Sequence, residues 1–369
     1  MIQVLVVVGT RPEAIKMAAV IHALRQHPDR IQVKVCATAQ HREMLDQVLD
    51  LFGIVPEIDL DLMQPEQTPS QVAARVLTKL EPVLQAEQPD WVLVQGDTTT
   101  VMAAAICAHH NRVRVGHVEA GLRTFDRSCP FPEEMNRVVT DHVSDLHFAP
   151  TEWARQNLLR EGIPDARIHV TGNTVIDALL QVAGRPWEPP EGDLLQRLDP
   201  RQRLILVTAH RRENLGAPLQ GICTALRTLA ARGDVQVIYP VHLNPNVHGP
   251  VHRALGDVPN VLLLPPVDYA TLVWLLKRCA LVLTDSGGIQ EEAPALGKPV
   301  LVLRQVTERP EGVEAGTARV VGADAERIVF ETNRLLDDEA AYQAMARAVN
   351  PYGDGHAAER IVAALVGRG

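Results

Sequence analysis

The octapeptide DSGGIQEE at 285–292 joins residue types that can hold an anion to residue types that can hold a sugar. Ser286 offers a hydroxyl, and Gly287 and Gly288 follow where an apolar strand gives way to a helix. A helix start carries unpaired N–H groups and about half a positive charge, so it suits phosphate. An ordinary serine cap followed by an eased turn would use the same letters. Glu292 returns to the face of Gly288 one turn later, where its carboxylate suits the two hydroxyls of a ribose. Glu291 fits as an acid complementing the helix dipole. Two further loops repeat the anion logic. GTRPEAIK at 9–16 contains Arg11 and Lys16, and AHRREN at 209–214 contains His210, Arg211 and Arg212. Arginine gives planar, two-pronged donation to phosphate oxygens. The expected anion is a diphosphate. GxGxxG is absent from both halves, so a hydride-carrying dinucleotide is not indicated.

A second chemistry lies in the first half. Asp97 follows VLVQG, Glu119 sits in HVEAG, and Glu133 opens a helical pattern in PFPEEMNR. Adjacent strands are about 4.8 Å apart, so these acids can share a pocket, and mutual repulsion would set them apart as acid and base. Plainer readings exist for each. Asp97 can cap the next helix, and Glu133 and Glu134 can decorate a helix start. Glu119 requires a partner such as Arg123 or His117. His210 and His242 each follow an apolar strand, as do Gln40 and His41, and such residues are more often structural. With no HExxH and no clustered histidine spacing, no metal is expected.

The elements that must position these residues are β-branched runs alternating with helical patterns. VLVVVG (4–9), IQVKVCA (31–37), WVLVQG (91–96) and VRVGHVEA (113–120) are near-continuous apolar strands, as are LILVTAH, VQVIYPV, VLLLPP, LVLTD and PVLVLR further on. Such runs predict parallel sheets covered on both faces, and ligands of such sheets sit beyond the carboxyl ends of the strands. Every cluster above lies at one of those ends. The rhythm breaks at AGRPWEPPEGD (183–193), expected to be a hinge joining two Rossmann-like, doubly wound α/β halves. The last helix, HAAERIVAALVG, is expected to pack back on the first half. The expected division is residues 1–172 plus 356–369 for the domain with the carboxylates, and 173–355 for the domain with the anion loops.

Composition bounds the partners. The chain has 369 residues, 46% of them hydrophobic, and 36 basic against 45 acidic side chains give a net charge of −9. That balance argues against nucleic acid. The five cysteines are scattered and unpaired in pattern, so neither disulfides nor zinc is expected. MIQVLVVVG has no basic leader and is far shorter than the roughly 18 apolar residues of a membrane helix. Cytoplasm is the expected location, with no membrane partner.

Taken in order, GTRPEAIKMA, QHREML, QGDTTT, HVEAGLRT, PFPEEMNR, VTGNTVID, TAHRREN, YPVHLNP, TDSGGIQEEAPALGKPVLVLR and TERPEGVEAGT resemble the non-hydrolysing UDP-N-acetylglucosamine 2-epimerases. The likeness runs from the first strand to about residue 322. It implies the two-lobed glycosyltransferase-B fold with the substrate in the cleft, a homodimer, and inversion at C2 of UDP-N-acetylglucosamine to give UDP-N-acetylmannosamine. Neither NAD nor metal takes part. In such enzymes a base removes the C2 proton while UDP leaves C1, and UDP adds back to 2-acetamidoglucal. By motif, Asp97, Glu119 and Glu133 match the catalytic acids, with the C2 base open among them, and Lys16 and His210 also match functional positions. Arg11, His210, Ser286, Gly287, Gly288 and Arg309 match the contacts around the phosphates, and Glu292 the ribose contact. Gln40, His41, Gln67, Arg211 and His242 resemble an allosteric pocket for UDP-N-acetylglucosamine, although Glu66 stands where members often carry glycine or a basic residue. A UDP-sugar glycosyltransferase, a hydrolysing epimerase and a catalytically silent sugar-nucleotide sensor are the rival readings.

Overall fold

A computed structural model describes residues 1–38, 42–62, 64 and 67–367, the side chains of 42–44 excepted. The chain forms two compact units, Met1–Gln181 with Tyr352–Gly369, and Val182–Pro351.

In the first unit, β1 (Ile2–Val8), α1 (Arg11–Arg25), β2 (Ile31–Ala37), α2 (Arg42–Phe52), β3 (Ile58–Asp59), α3 (Pro69–Glu87), β4 (Trp91–Gln95), α4 (Thr99–His110), β5 (Arg114–Val118), α5 (Glu133–Val143), β6 (Leu146–Ala149), α6 (Glu152–Arg160), β7 (Ile168–Val170) and α7 (Thr174–Ala183) alternate. The sheet order is β3-β2-β1-β4-β5-β6-β7. Every pairing is parallel, with Val4 opposite Val33 and Val94 opposite His117. Strands such as WVLVQ are buried at every position, because helices cover both faces and leave no solvent side for polar residues. Thr10 and Glu13 form a capping box with Pro12 in the first turn, which starts α1 immediately after β1.

The second unit holds β8 (Arg203–Thr208), α8 (Ala217–Ala230), β9 (Val235–Pro240), α9 (Pro245–Leu255), β10 (Val261–Leu264), α10 (Tyr269–Arg278), β11 (Leu281–Thr284), α11 (Gly287–Ala295), β12 (Val300–Val302), α12 (Pro310–Glu314), β13 (Ala318–Val320), α13 (Ala325–Asp337) and α14 (Glu339–Ala346). Its sheet runs β10-β9-β8-β11-β12-β13, again parallel. The closing helix α15 (Ala357–Val366) returns to the first unit, where Asp177 Oδ1 accepts the Ala358 N–H at 2.8 Å.

The chain passes from one unit to the other at 181/182 and 351/352 rather than at the expected 172/173 and 355/356. Local bonds explain the displacement. The Asn173 N–H donates to Tyr352 O at 2.7 Å, so both residues stay with the first unit. The proline-rich stretch expected to be a free hinge is held within the second unit instead. Trp187 packs edge-on against Trp274 with ring centres 5.7 Å apart, and Glu188 pairs with Arg278 at 2.9 Å. Strands β3, β6, β7 and β13, of two to four residues, were not marked in the sequence. Among the described residues no helix is long and apolar enough to cross a membrane.

Candidate functional site

In the first unit the acids gather around the ends of β4 and β5 and the start of α5. Glu119 follows β5 and is nearly buried. Its backbone takes φ 64°, a left-handed conformation that costs a residue with a Cβ about 1–2 kcal/mol. Its carboxylate is surrounded by donors. Lys16 Nζ lies 2.6 Å from both oxygens, Asn173 Nδ2 donates to Oε1 at 2.9 Å, and Gln95 Nε2 donates to Oε2. The expected partners Arg123 and His117 are elsewhere, each bonded to the buried Asp141 at 2.7 and 2.6 Å. The acid's real partner comes from α1, across the sheet, which spacing within HVEAGLRT could not reveal.

Asp97 does not cap α4. That role falls to Thr98, whose hydroxyl accepts the Val101 N–H at 3.2 Å. The Asp97 carboxylate instead receives Arg137 from α5, which also reaches Glu134 at 3.3 Å. Gly96, just before it, adopts φ 84°, and a Cβ there would stand 3.8 Å from Glu119 Oε2, so Glu119 sits against the Asp97 turn. Glu133 opens α5 and is half-buried. Its neighbour Glu134 has a structural task. It is buried and accepts the Thr124 and Phe125 N–H groups, at 3.1 and 2.9 Å for Oε1.

Arg11 begins α1. The N–H groups of Gly9 and Thr10 are already occupied, because Glu13 Oε2 accepts them at 2.7 and 3.3 Å. Burial pushes the Glu13 carboxyl above its ordinary value, although donors from Gly9, Thr98 and Thr10 oppose the shift.

The second unit assembles the anion loops. Ser286 occupies the cap position of α11 without its hydroxyl capping the helix, so the serine is not spent on the plain role. A Cβ on Gly287 would lie 3.7 Å from Arg309 Nη2 and 3.9 Å from Arg211 Nη2. Two guanidinium groups thus flank the helix start. Glu291 is not merely a dipole acid. It is buried and bonded to Arg309 Nε, which aims that guanidinium. Glu292 Oε1 accepts the Tyr269 hydroxyl at 2.7 Å, and Oε2 lies 3.6 Å from where a Gly288 Cβ would be.

Asp285 was not singled out from sequence, yet it organises this half. Fully buried, its Oδ2 accepts the N–H groups of His210 and Arg211, both at 2.8 Å, and Asn214 Nδ2 at 2.9 Å. The AHRREN turn is thereby locked to the DSGG turn. The only sequence signal is an aspartate ending an apolar strand. His210 stacks on His242 with ring centres 5.2 Å apart and planes 14° apart. Burial of the ring lowers the His210 pKa; Asp285 opposes this, and His242 and Arg211 reinforce it. His242 Nδ1 accepts the Asn244 N–H at 3.0 Å.

Gln67 closes its own loop, accepting the Gln64 N–H at 3.0 Å and donating to Leu62 O at 3.1 Å. Gln40, His41 and Glu66 lie outside the described residues. Among the described residues, no three histidine, cysteine, aspartate or glutamate side chains are grouped to hold a metal ion.

These two sheets, with a loop of donors in one unit and a set of acids in the other, define an α/β protein of the glycosyltransferase-B type. The chain belongs to the UDP-N-acetylglucosamine 2-epimerase family, whose model matches residues 22–366. It is 57% identical over 369 residues to the UDP-N-acetylglucosamine 2-epimerase of Salmonella typhimurium, covering 98% of each chain. Among solved structures it resembles the UDP-GlcNAc 2-epimerase of Neisseria meningitidis bound to UDP-GlcNAc, with TM-score 0.88 and 45% identity over 99% of this chain and 100% of that one. It also resembles the Methanocaldococcus jannaschii UDP-GlcNAc 2-epimerase in complex with UDP-GlcNAc and UDP, at TM-score 0.80, 34% identity and full coverage of both chains.

Proposed function

We propose that this protein interconverts UDP-N-acetylglucosamine and UDP-N-acetylmannosamine without hydrolysing either. The C2 proton has no adjacent carbonyl to acidify it, so loss of UDP from C1 must accompany its removal. The C2–H pair forms the new C1–C2 double bond, the C1–O pair leaves with UDP, and the product is 2-acetamidoglucal. Returning the proton on the opposite face and re-adding UDP at C1 completes the epimerisation. Ser286, the α11 start at Gly287 and Gly288, and the guanidinium group of Arg309 act on the diphosphate. Charge that develops on the leaving oxygen is thereby stabilised. Arg11 and His210 are further proposed phosphate contacts, and Glu292 is proposed to take the ribose.

The single observation that supports this reading best is the state of the three acids. Glu119 has both oxygens engaged by donors from Lys16, Asn173 and Gln95. It therefore fixes charge and the position of Lys16, while Asp97, which shares Arg137, and Glu133 are the carboxylates proposed to move protons at C2. The protein is further proposed to be a cytoplasmic homodimer, with Gln40, His41, Gln67, Arg211 and His242 forming an allosteric pocket for the same sugar nucleotide.

The test is incubation with UDP-N-acetylglucosamine in deuterium oxide, followed by proton NMR. Both UDP sugars should appear with deuterium at C2. Free N-acetylmannosamine would indicate the hydrolysing reaction, and unchanged substrate without exchange would indicate a transferase or a sensor.

A further inference from the structure

The backbone of Asp97 is held in an unusual way. Its own carbonyl and that of Gly96 are both taken by side chains: His117 Nε2 reaches Gly96 O at 2.8 Å, and Asn136 Nδ2 donates to Asp97 O at 3.0 Å. His117 comes from β5 and is wholly buried, and Asn136 comes from α5 and is nearly so. The other nitrogen of His117, Nδ1, lies 2.6 Å from Asp141 Oδ1. The two ring nitrogens thus face a carboxylate and a backbone carbonyl. Burial alone would raise the Asp141 carboxyl, but His117, Arg123 and His147 outweigh it and hold it below the usual carboxylate range.

Asp141 belongs to the helix that begins with Glu133. Positions 133, 136, 137 and 141 recur at helical spacing and share one face of α5. Asn136 and Arg137 grip Asp97, and Asp141 grips His117. Asp141 Oδ2 also accepts the Gly121 N–H at 3.3 Å, two residues beyond Glu119. Gly121 leaves no room for adjustment, since at φ 86° a Cβ would stand 2.3 Å from Ala154 O. The turn carrying Asp97, the turn carrying Glu119 and the helix carrying Glu133 are thus fastened to one another through buried polar groups.

We infer that His117 and Asn136 are positioning residues that set the Asp97 backbone by holding the Gly96 and Asp97 carbonyls. The inference rests on the proposed epimerase reaction. These side chains act on where the proton-moving carboxylates stand, not on sugar-nucleotide binding. A displacement of about 1 Å at such a group costs on the order of a hundredfold in rate.

Two substitutions at one position separate this role from a merely structural one. The amide nitrogen of asparagine stands as many bonds from the backbone as histidine Nδ1, and that of glutamine as many as Nε2. His117→Asn therefore keeps the bond to Asp141 and releases the Gly96 carbonyl, whereas His117→Gln does the reverse. Both lose one buried bond and should fall in thermal stability together. With wild-type exchange of the C2 proton established first, H117N should lose about a hundredfold in kcat and H117Q no more than about fivefold. KM for UDP-N-acetylglucosamine and Kd for UDP should stay within about twofold in both. Equal losses of kcat in the two variants, or a change confined to KM, would overturn the inference. If H117N does not fold, Asn136→Ala gives the parallel reading, for which wild-type kcat would overturn it. Absence of exchange in the wild type would instead defeat the proposed reaction.

Discussion

Replacing Glu119 by glutamine exposes how the first unit manages its charges. The side chain is 5% exposed and that of Lys16 is 18% exposed, so the pair at 2.6 Å is close to a buried ion pair. Lys16, Gln95 and Asn173 all donate to the carboxylate. An amide at 119 would remove the negative charge that faces Lys16 and would require the Gln95 or Asn173 amide to reorient to meet its N–H groups. Removing one partner of a buried pair costs about 3–5 kcal/mol. For a unit of this size that corresponds to a fall in Tm of about 6–20 °C. The double variant K16M/E119Q removes the stranded cation. It should recover about 2 kcal/mol. Calorimetry checks the stability, and deuterium incorporation at C2 checks the activity in the same samples. Exchange should fall by a factor of at least about a thousand in E119Q and should not return in the double variant. A Tm for E119Q within 2 °C of wild type would refute the reading of a saturated carboxylate, and recovery of exchange in K16M/E119Q would show that the carboxylate itself is dispensable.

Three other outcomes follow from particular contacts. Because burial raises the Glu13 carboxyl above 4.5, the fold holds that proton more tightly than the unfolded chain does. Its contribution is complete below the unfolded value and is lost as pH rises through the folded one. Glu13→Gln should therefore gain in Tm relative to wild type as pH is raised from 4 to 8, and a constant difference would contradict it. Gly287→Ala has room for its methyl group and should fold normally, yet it fills the approach to the α11 start, so UDP affinity by calorimetry should drop about tenfold; unchanged affinity would contradict the assignment. Asp285→Ala strands three donors in the interior and should cost about 3–5 kcal/mol in urea unfolding, along with UDP binding, whereas a loss under 1 kcal/mol would show that the two turns are not locked through it.

What could be read from sequence depended on range. Strand 91–95 was legible because Trp91–Val94 is a continuous apolar run, buried throughout. The positions of Asp97, Glu119 and Ser286 at strand ends followed from the same rule. The partners of those residues did not. Glu119 is bonded to Lys16 across 103 positions and to Asn173 across 54, distances over which local spacing carries no information. His117 and Arg123 stood closer in sequence and looked the better partners, but Asp141 takes both from the other side of the strand. Glu291 looked like a dipole acid because Arg309 comes from a loop beyond β12. The short strands β3 and β7 owe their existence to neighbours in the sheet rather than to their own composition.

The central claim of the proposed reaction is that the C2 proton is removed as UDP leaves C1. Positional isotope exchange tests it most directly. With oxygen-18 in the bridge between C1 and the β-phosphorus, freed UDP can rotate before re-adding. The label should therefore pass into non-bridging positions, seen by phosphorus NMR, at a rate comparable with epimerisation. Epimerisation that proceeds while the label stays in the bridge would contradict the claim.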